Sequence, residues 1–278
     1  MALRSDSMTT NSRLASTFND LAARNEAAFV AYLAAGHPSP ERTADLVVAL
    51  ADAGADVVEL GVPFSDPLAD GVVNQLAAEA ALKAGTTIQH VLEIIRKIRE
   101  RSEVPLVLFT YLNPVYTYGF EKFHRDAAAA GADGILTLDL PADEAQKNTE
   151  LASAEGLAPI RLIAPTTPES RFDSICSQAD GFIYYVSREG VTGVQESLSE
   201  GIDDQVAAIK KHTDLPICVG FGISKPEQAA QVAKAADGVV VGSAIVRTIL
   251  DNADDPNLPT ILRDFTAPLV AATKSARA

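Results

Sequence analysis

The sequence predicts an α/β fold, a single (β/α)8 barrel (a TIM barrel) with an extra N-terminal helix and additional helices. Short apolar runs alternate with amphipathic helical segments along almost the whole chain, which is typical of consecutive βαβ units. Eight runs have the length of strands, and each is followed by a helical segment. The chain has 278 residues, of which 47% are hydrophobic, and single-domain barrels of this kind have about 250 residues.

The elements follow one another without a linker or a low-complexity segment. Residues 1–11 are polar and are predicted to be a disordered tail, and residues 12–278 form the barrel domain, with a first helix over 12–25. The predicted strands are 29–35, 57–62, 106–112, 134–140, 160–164, 182–187, 217–222 and 239–242. The later predicted helices are 41–53, 73–83, 87–101, 120–130, 143–155, 168–178, 203–212, 226–235, 244–251 and one from about residue 258.

A weak repeat at the strand starts supports the barrel. The even-numbered strands are each preceded by Ala-Asp, at residues 55–56, 132–133, 179–180 and 236–237. A proline stands at the start of the third, fifth and seventh predicted strands, directly before residues 106, 160 and 217: Pro105, Pro159 and Pro216. A strand tolerates proline at its first residue. The alternative is an open doubly wound sheet, but such a sheet rarely carries eight units, and no Gly-x-Gly-x-x-Gly follows the first strand.

Composition and charge argue against several classes of function. The net charge of −14 argues against nucleic acid and anionic membrane surfaces as partners. The longest apolar run is shorter than the roughly 18 residues of a membrane span. Cys176 and Cys218 have no CxxC or metal-ligand spacing, so we interpret them as reduced thiols of a cytoplasmic protein and expect no metal.

Glu59 is the anomalous residue of the second strand, Val-Val-Glu-Leu-Gly-Val. Strands of a parallel sheet are buried on both faces, and burial favours the neutral form of a carboxylic acid, so its pKa rises. Such a group is suited to general acid/base catalysis near neutral pH. A structural glutamate paired to a lysine or arginine explains the strand equally well.

Three glycine-bearing segments follow late strands: residues 190–193, 220–224 and 242–244. Barrel enzymes bind phosphate after strands 7 and 8 through loop amides and a helix N-terminus, and simple turn chemistry is the alternative. Ser224 begins a Ser-x-x-Glu capping box with Glu227. Ser243 is therefore the better ligand candidate.

Aromatic residues are few, and several lie at predicted strand ends: Tyr32, Phe109, Tyr111, Tyr184 and Tyr185. For any single ring, packing in the barrel core or at its rim is the simpler interpretation. As a group they suit a flat aromatic substrate. His37 follows the first strand and is interpreted as a loop residue, not a catalytic one.

Residues 59–71, Glu-Leu-Gly-Val-Pro-Phe-Ser-Asp-Pro-Leu-Ala-Asp-Gly, resemble the signature of the tryptophan synthase alpha subunit family. Residues 187–193, 220–224 and 242–246 are similar to its other motifs and occur in the same order. The resemblance runs from about residue 18 to 251 and implies a lyase of tryptophan biosynthesis. It would cleave indole-3-glycerol phosphate to indole and glyceraldehyde 3-phosphate, a retro-aldol reaction.

The resemblance also implies roles for individual residues. Glu59 corresponds to the general acid/base, Asp70 to the carboxylate that holds the indole N–H, Thr192 to the residue that orients this aspartate, and Tyr184 to a tyrosine beside the glutamate. The phosphate ligands would be Gly193, Gly222, Gly242 and Ser243, the indole-pocket walls Tyr32, Phe109 and Leu136, and the partner-facing residues Asp66, Pro67 and Asn113. No cofactor is implied in this chain, since pyridoxal phosphate belongs to the beta subunit of an alpha2-beta2 heterotetramer.

Two segments depart from the family pattern. Residues 72–75 read Val-Val-Asn-Gln where the family commonly has Pro, a β-branched residue, Ile and Gln, so the loop is expected to be less rigid at its exit. Residues 34–38 read Ala-Ala-Gly-His-Pro where Thr-x-Gly-Asp-Pro is common. Any hydrogen bond from that Thr or Asp is absent here.

Two rival functions fit the sequence less well than the lyase. An indole-glycerol-phosphate synthase would need a lysine acid and a second carboxylate on other strands, and the predicted strand ends carry neither. A barrel that only binds a partner would have no use for both Glu59 and Asp70. The sequence leaves open whether the chain acts in a complex or releases indole alone.

Overall fold

The computed structural model describes residues 13–187, 201–220 and 222–277. Its eight strands are parallel and pair in sequence order to form a closed barrel, which confirms the predicted fold class. The strands are β1 (Ala28–Ala34), β2 (Val57–Gly61), β3 (Leu106–Thr110), β4 (Gly134–Thr137), β5 (Ala158–Ile163), β6 (Ile183–Val186), β7 (Ile217–Gly220) and β8 (Gly238–Val241). The predicted tail, residues 1–11, lies outside the described residues.

Within the described ranges, twelve α-helices surround and cover the barrel. They are α1 (Arg13–Ala23), α2 (Pro40–Asp52), α3 (Val72–Lys83), α4 (Ile88–Arg99), α5 (Leu112–Tyr118), α6 (Phe120–Ala130), α7 (Gln146–Ala154), α8 (Phe172–Cys176), α9 (Ile202–Ile209), α10 (Pro226–Ala235), α11 (Ser243–Asp251) and α12 (Leu258–Ser275). Short 3-10 turns, Ala142–Glu144 and Glu169–Arg171, precede α7 and α8. No helix in these ranges is both long and apolar enough to cross a membrane.

The prediction missed α5 and extended the third strand through Leu112. The strand ends at Thr110, and Tyr111 is the N-cap of α5. The Leu112 amide donates a hydrogen bond of 2.7 Å to the Asp139 carboxylate, which turns the chain out of the barrel. Pro114 lies in the first helical turn, where a missing N–H is tolerated. Apolar residues continue past the strand, so the pattern alone did not show its end.

Residues of each strand point alternately inward and outward. The inward set includes Val30, Val107 and Ile160, and α1 covers its N-terminal end with Leu14, Phe18 and Leu21. The Phe18 and Phe182 rings are 5.7 Å apart. The outward set packs against the helices in a larger apolar layer. The barrel is therefore filled by side chains and closed at its N-terminal end.

The Ala-Asp repeat has a structural explanation at that same end. Three of the four aspartates accept a hydrogen bond from an amide at the start of the preceding strand. The bonds are Phe29 N to Asp56 at 2.7 Å, Leu106 N to Asp133 at 2.8 Å and Ile217 N to Asp237 at 3.0 Å. Asp180 instead accepts from the Gly181 amide at 2.7 Å. Each of these three aspartates therefore links the start of its own strand to the start of the preceding strand.

The same three aspartates form ion pairs with cationic side chains. Asp56 pairs with Lys274 at 2.6 Å, Asp133 with Arg99 at 2.6 Å and Arg13 at 3.0 Å, and Asp237 with Lys210 at 2.9 Å. The predicted starts of β3 and β7, at residues 106 and 217, are confirmed, and the predicted start of β5, at residue 160, is two residues late. Pro105 and Pro216 immediately precede β3 and β7, and β5 begins one residue before Pro159.

Candidate active site

Glu59 is the third residue of β2 and points into the barrel, because its neighbours Val58 and Leu60 belong to the outer layer. Its side chain is fully buried. Among the described residues, neither of its carboxylate oxygens has a hydrogen-bond partner. Burial raises the pKa of Glu59 from its usual value to about 8. The predicted alternative, a structural ion pair, therefore finds no partner in the described part of the chain, and the neutral acid predominates at neutral pH.

Asp70 lies in the loop between β2 and α3, just before the helix N-cap Gly71. The Tyr111 hydroxyl donates a hydrogen bond of 2.8 Å to Asp70 Oδ2 and accepts one of 3.0 Å from the Ala69 amide. The Gln75 side-chain amide donates to the Asp70 main-chain carbonyl at 2.8 Å. Burial raises the pKa of Asp70, and hydrogen bonds from Tyr111 and then Asn74 oppose that increase.

Two tyrosines share the space of the two carboxylates. The pKa of Tyr32 is raised by burial first, then by the charges of Asp70 and Glu59. The pKa of Tyr184 is raised by burial first, with Glu59 as the next contribution and a smaller one from Asp70. The structure thus brings together four predicted site residues from β1, β2, β6 and the β2–α3 loop, and both phenols stay protonated.

Two strand glycines make room for these phenols. A Cβ at Gly61 would collide with the Tyr32 hydroxyl, and a Cβ at Gly220 would collide with the Tyr184 hydroxyl. Each glycine ends its strand, β2 or β7, on the inward face. In both cases a glycine at the end of one strand faces a tyrosine of the neighbouring strand. This pairing is visible in the sequence, but the sequence analysis did not use it.

The three predicted walls of an aromatic pocket are contiguous. The Tyr32 and Phe109 rings meet edge to face, with centroids 5.0 Å apart and an interplanar angle of 66°. Phe109 is the register partner of Leu136 on the neighbouring strand. Leu136 is buried and Phe109 is partly exposed. This apolar wall begins next to Glu59, because Tyr32 is the register partner of Glu59.

Two of the three glycines predicted to bind phosphate, Gly222 and Gly242, lie after β7 and β8. Gly222 has a φ of 58°, in the left-handed region that favours glycine. Gly242 is the N-cap of α11 with a φ of −112°, and Ser243 is the first residue of that helix. A Cβ at Gly242 would be 3.5 Å from the nearest Tyr32 atoms, an ordinary contact. Since neither backbone nor packing requires glycine at 242, its absent side chain leaves space beside a helix N-terminus.

Comparison with known proteins decides the family. The family model described as "Tryptophan synthase alpha chain" matches residues 18–266. The tryptophan synthase alpha chain of Opitutus terrae is 50% identical over 264 residues, covering 95% of this chain and 99% of its relative. That of Solibacter usitatus is 51% identical over 257 residues, covering 92% and 96%. The chain belongs to the tryptophan synthase alpha chain family.

Solved structures of the family have the same fold. The crystal structure of tryptophan synthase subunit alpha from Legionella pneumophila superposes with a TM-score of 0.88 at 37% identity, covering 95% of this chain and 98% of that one. A Mycobacterium tuberculosis tryptophan synthase structure gives 0.86 at 36% identity, covering 95% and 98%. As a member of the tryptophan synthase alpha chain family, this chain is a lyase that cleaves indole-3-glycerol phosphate to indole and glyceraldehyde 3-phosphate.

The three residues predicted to face a partner lie on segments next to Asp70 and Tyr111. Asp66 and Asn113 are exposed, and Pro67 is partly exposed. Leu68 and Tyr116, in the same two segments, are 92% and 76% exposed. The β2–α3 loop and α5 are adjacent because the Tyr111 hydroxyl accepts a hydrogen bond from the Ala69 amide of that loop. Helix α5 begins at Leu112, directly after Tyr111.

Other predictions differ in outcome. Thr192 and Gly193 lie outside the described residues. Tyr185 belongs to the outer layer, not to the site. The capping box of Ser224 and Glu227 is wrong: Lys225 is the N-cap of α10, and the Gln228 side chain accepts from the Ser224 and Lys225 amides at 3.0 and 3.1 Å.

Two contacts of this tryptophan synthase alpha chain were missed by sequence reasoning. Tyr111 was recognised only as a strand-end aromatic, yet its hydroxyl hydrogen-bonds the Asp70 carboxylate. Asn74 was noted only as a departure from the family pattern, yet it lowers the pKa of Asp70 against the larger effect of burial. His37, the other departure, is buried, and neither ring nitrogen has a partner among the described residues. Within those residues, no group of three or more His, Cys, Asp or Glu side chains is placed to hold a metal ion.

Proposed function

We propose that Glu59 is the general acid/base of the lyase reaction in this chain and that Asp70 is its electrostatic partner. One observation carries the assignment: a fully buried carboxyl group, with no hydrogen-bond partner in the described part of the chain, lies near the same two tyrosines as a carboxylate that accepts a hydrogen bond from Tyr111. Two carboxyl groups in different environments can take an acid role and a charged role at the same pH.

The order of proton transfers in the cleavage follows from the different environments of Glu59 and Asp70. Neutral Glu59 donates its proton to C3 of the indole ring, and the positive charge that develops on the ring is stabilised by Asp70 at the ring N–H. Ionised Glu59 then accepts the proton of the hydroxyl on the carbon attached to C3. The carbon–carbon bond breaks, its electron pair restores the indole, and the hydroxyl oxygen becomes the aldehyde oxygen of glyceraldehyde 3-phosphate. Tyr184 packs beside Glu59 in this scheme.

The remaining site residues bind the two ends of the substrate. Tyr32, Phe109 and Leu136 form the apolar wall against which the indole ring lies. Gly222, Gly242 and Ser243 present backbone amides and a hydroxyl to the phosphate at the N-terminus of α11. The proposal also includes Thr192 as the residue that orients Asp70 and Gly193 as a further phosphate ligand. These two roles are supported by the resemblance of residues 187–193 to the family motif.

We further propose that a beta subunit is the partner of this chain in an alpha2-beta2 complex. Its docking surface would include Asp66, Pro67 and Asn113, with the exposed apolar side chains of Leu68 and Tyr116. Cleavage needs only proton transfer and charge stabilisation, so no cofactor is proposed in this chain, and pyridoxal phosphate is assigned to the beta subunit. The surface lies near Asp70, so docking can act on the loop that carries it.

The test measures indole release from indole-3-glycerol phosphate by the purified chain, alone and with a beta subunit. Asp70→Asn is expected to reduce turnover about 100-fold or more, because it removes a charge directed at the transition state. Asp52→Asn, at the exposed end of α2, is the matched control and should keep wild-type turnover. Equal turnover in Asp70→Asn and wild type would exclude the role of Asp70. Size-exclusion chromatography of the mixture with the beta subunit, and of a Leu68→Asp variant, tests the docking surface.

A further inference from the structure

One tyrosine connects the loop that carries Asp70 to helix α5. Tyr111 is buried, directly follows β3 and is the N-cap of α5. Its hydroxyl donates a hydrogen bond of 2.8 Å to Asp70 Oδ2 and accepts one of 3.0 Å from the Ala69 amide. Among the described residues, every hydrogen bond between residues 63–71 and residues 111–119 ends at this hydroxyl. The orientation of the Asp70 carboxylate therefore depends on where α5 holds Tyr111.

The ring of Tyr111 contacts the other end of the same loop. Its centroid is 5.4 Å from that of the Phe64 ring, and the two planes are inclined by 38°. Burial first, and then the charge of Asp70, raise the pKa of Tyr111, so the hydroxyl keeps its proton and remains a donor at neutral pH. One side chain thus touches the loop at Phe64, where it begins, and at Ala69 and Asp70, where it ends.

The part of the loop between these two contacts projects into solvent. Asp66 is exposed, and Leu68 is 92% exposed. The backbone hydrogen bonds of this part are local: the Leu68 amide donates to the Asp66 carbonyl at 2.9 Å, and the Asp70 amide donates to the Pro67 carbonyl at 3.0 Å. These turns shape the segment without attaching it to the barrel. A molecule that binds the segment from outside therefore acts on the contacts of Tyr111 at both ends of the loop.

Helix α5 presents further exposed residues beside the same tyrosine. Its first residue is fixed, because the Leu112 amide donates to the Asp139 carboxylate at 2.7 Å. Asn113 is exposed, and Tyr116 is 76% exposed. A groove of about 420 Å³ is lined by the loop residues Phe64 and Ser65 and by the α5 residues Asn113 and Pro114. A partner that covers this groove contacts both of the segments that Tyr111 connects.

We infer that Tyr111 is the positioning residue through which a partner docked on the loop and on α5 fixes the Asp70 carboxylate for the lyase reaction. The inference rests on the proposed roles of Asp70 and of the docking surface. A partner that holds both segments restricts the Tyr111 ring and therefore the direction of its hydroxyl. The carboxylate is then held toward the indole N–H. Because that interaction strengthens as the ring becomes positive, turnover rises while substrate binding changes little.

A phenol is suited to this task because one oxygen atom both donates and accepts. The Tyr111 hydroxyl accepts from the backbone of Ala69 and donates to the side chain of Asp70, so it sets the two groups relative to each other. Phenylalanine at this position would keep the ring contact with Phe64 and lose both hydrogen bonds. Tyr111→Phe therefore separates the link from the packing.

The experiment measures kcat and KM for indole release by wild type, Tyr111→Phe and Tyr118→Phe, each alone and with saturating beta subunit. Tyr118 is the matched control, since its hydroxyl donates to the Asp126 carboxylate of α6 at 2.8 Å. In Tyr111→Phe without partner, kcat should fall about tenfold at nearly constant KM, as expected for one lost hydrogen bond to a charged group. The beta subunit should raise kcat of wild type and of the control by the same factor, and should leave that of Tyr111→Phe almost unchanged.

Binding of the beta subunit is measured separately by isothermal titration calorimetry. The three chains should have similar dissociation constants, because the residues of the docking surface are intact in each. Equal stimulation of Tyr111→Phe and wild type would overturn the inference, and so would a wild type that binds the beta subunit without any gain in turnover. Loss of binding in Tyr111→Phe would also overturn it, because Tyr111 would then belong to the docking surface itself.

A second measurement does not depend on lyase activity. The Ala69 amide donates to the Tyr111 hydroxyl, so its hydrogen exchange, followed by mass spectrometry of short peptides, reports the link. The beta subunit should slow this exchange strongly in wild type and only slightly in Tyr111→Phe, and equal slowing in the two would contradict the inference. If the exchange behaves as expected but wild type releases no indole, the link stands and the proposed function fails.

A double mutant tests whether Tyr111 acts through Asp70. Tyr111→Phe in an Asp70→Asn background should change kcat by less than about twofold, because the effects of coupled residues are not additive. A further tenfold loss in the double mutant would show that the Tyr111 hydroxyl acts on the reaction by a route other than Asp70.

Discussion

The two ends of the barrel use buried carboxyl groups in opposite ways. At the N-terminal end, Asp133 is 6% exposed and is bound by Arg99, Arg13 and the Leu106 amide. At the carboxyl end, Glu59 is equally buried but has no partner among the described residues. Burial by itself therefore does not assign a role. The partners decide whether a buried acid anchors the fold as an anion or stays neutral and can donate a proton.

The largest expected effect is on catalysis by Glu59. Glu59→Gln keeps the size of the side chain and removes the transferable proton, so turnover should fall by about 10² to 10⁴. Circular dichroism should show an intact fold. The matched control is Glu79→Gln, an exposed residue paired with Lys83. Turnover within a few-fold of wild type would refute the acid/base role.

Asp133 should show the opposite pattern, a loss of stability. Asp133→Ala leaves the mostly buried Arg99 guanidinium without its counter-charge, which should lower the free energy of unfolding by about 3–5 kcal/mol in urea titrations. Asp45→Ala breaks the exposed pair with Arg101 and should change it by less than about 1 kcal/mol. Similar losses in the two variants would mean that burial adds nothing to the Asp133 ion pairs.

The pH dependence of stability separates the two ends further. The unfolded state ionises Glu59 near its usual pKa of 4.5, whereas the folded state does so only near 8. The folded state therefore binds the extra proton between these values, and stability falls as pH rises from about 5 to 8. The decline attributable to Glu59 amounts to about 3–5 kcal/mol at most. Urea titrations of Glu59→Gln at pH 5 and pH 8 should lack this component, and an undiminished decline in the variant would assign it to other groups.

The smallest effects concern two glycines at opposite ends of β8: Gly238 is its first residue, and Gly242 directly follows its last. A Cβ at Gly238 would be 2.5 Å from Cys218 Sγ, whereas a Cβ at Gly242 makes only ordinary contacts. Gly238→Ala should lower the melting temperature. Gly242→Ala should keep it but weaken binding of glycerol 3-phosphate about tenfold, because the methyl group occupies the space proposed for phosphate. Indole affinity serves as the control ligand, and unchanged glycerol 3-phosphate affinity in Gly242→Ala would place the phosphate elsewhere.

The sequence predicted what depends on local pattern. Short apolar runs and helical segments identified every strand and the barrel, and the carboxylate in an apolar strand identified Glu59 as a buried acid. Hydrogen bonds between segments distant in sequence leave no periodic trace. The Tyr111 hydroxyl, for example, reaches Asp70 from 41 positions away. The start of α5 was missed because Tyr111 and Leu112 continue the apolar run of the strand before it.

The closure of the N-terminal end by α1 has a kinetic consequence. Leu14, Phe18 and Leu21 pack against the first residues of the strands, so the pocket is a blind one with its mouth at the carboxyl end. If the indole ring binds at the proposed wall, substrate enters and indole leaves the isolated chain through the same mouth, past Tyr32 and Phe109. Bound indole then occupies the wall that the next substrate molecule needs. Indole should therefore act as a competitive product inhibitor of the isolated chain, raising the apparent KM without lowering kcat.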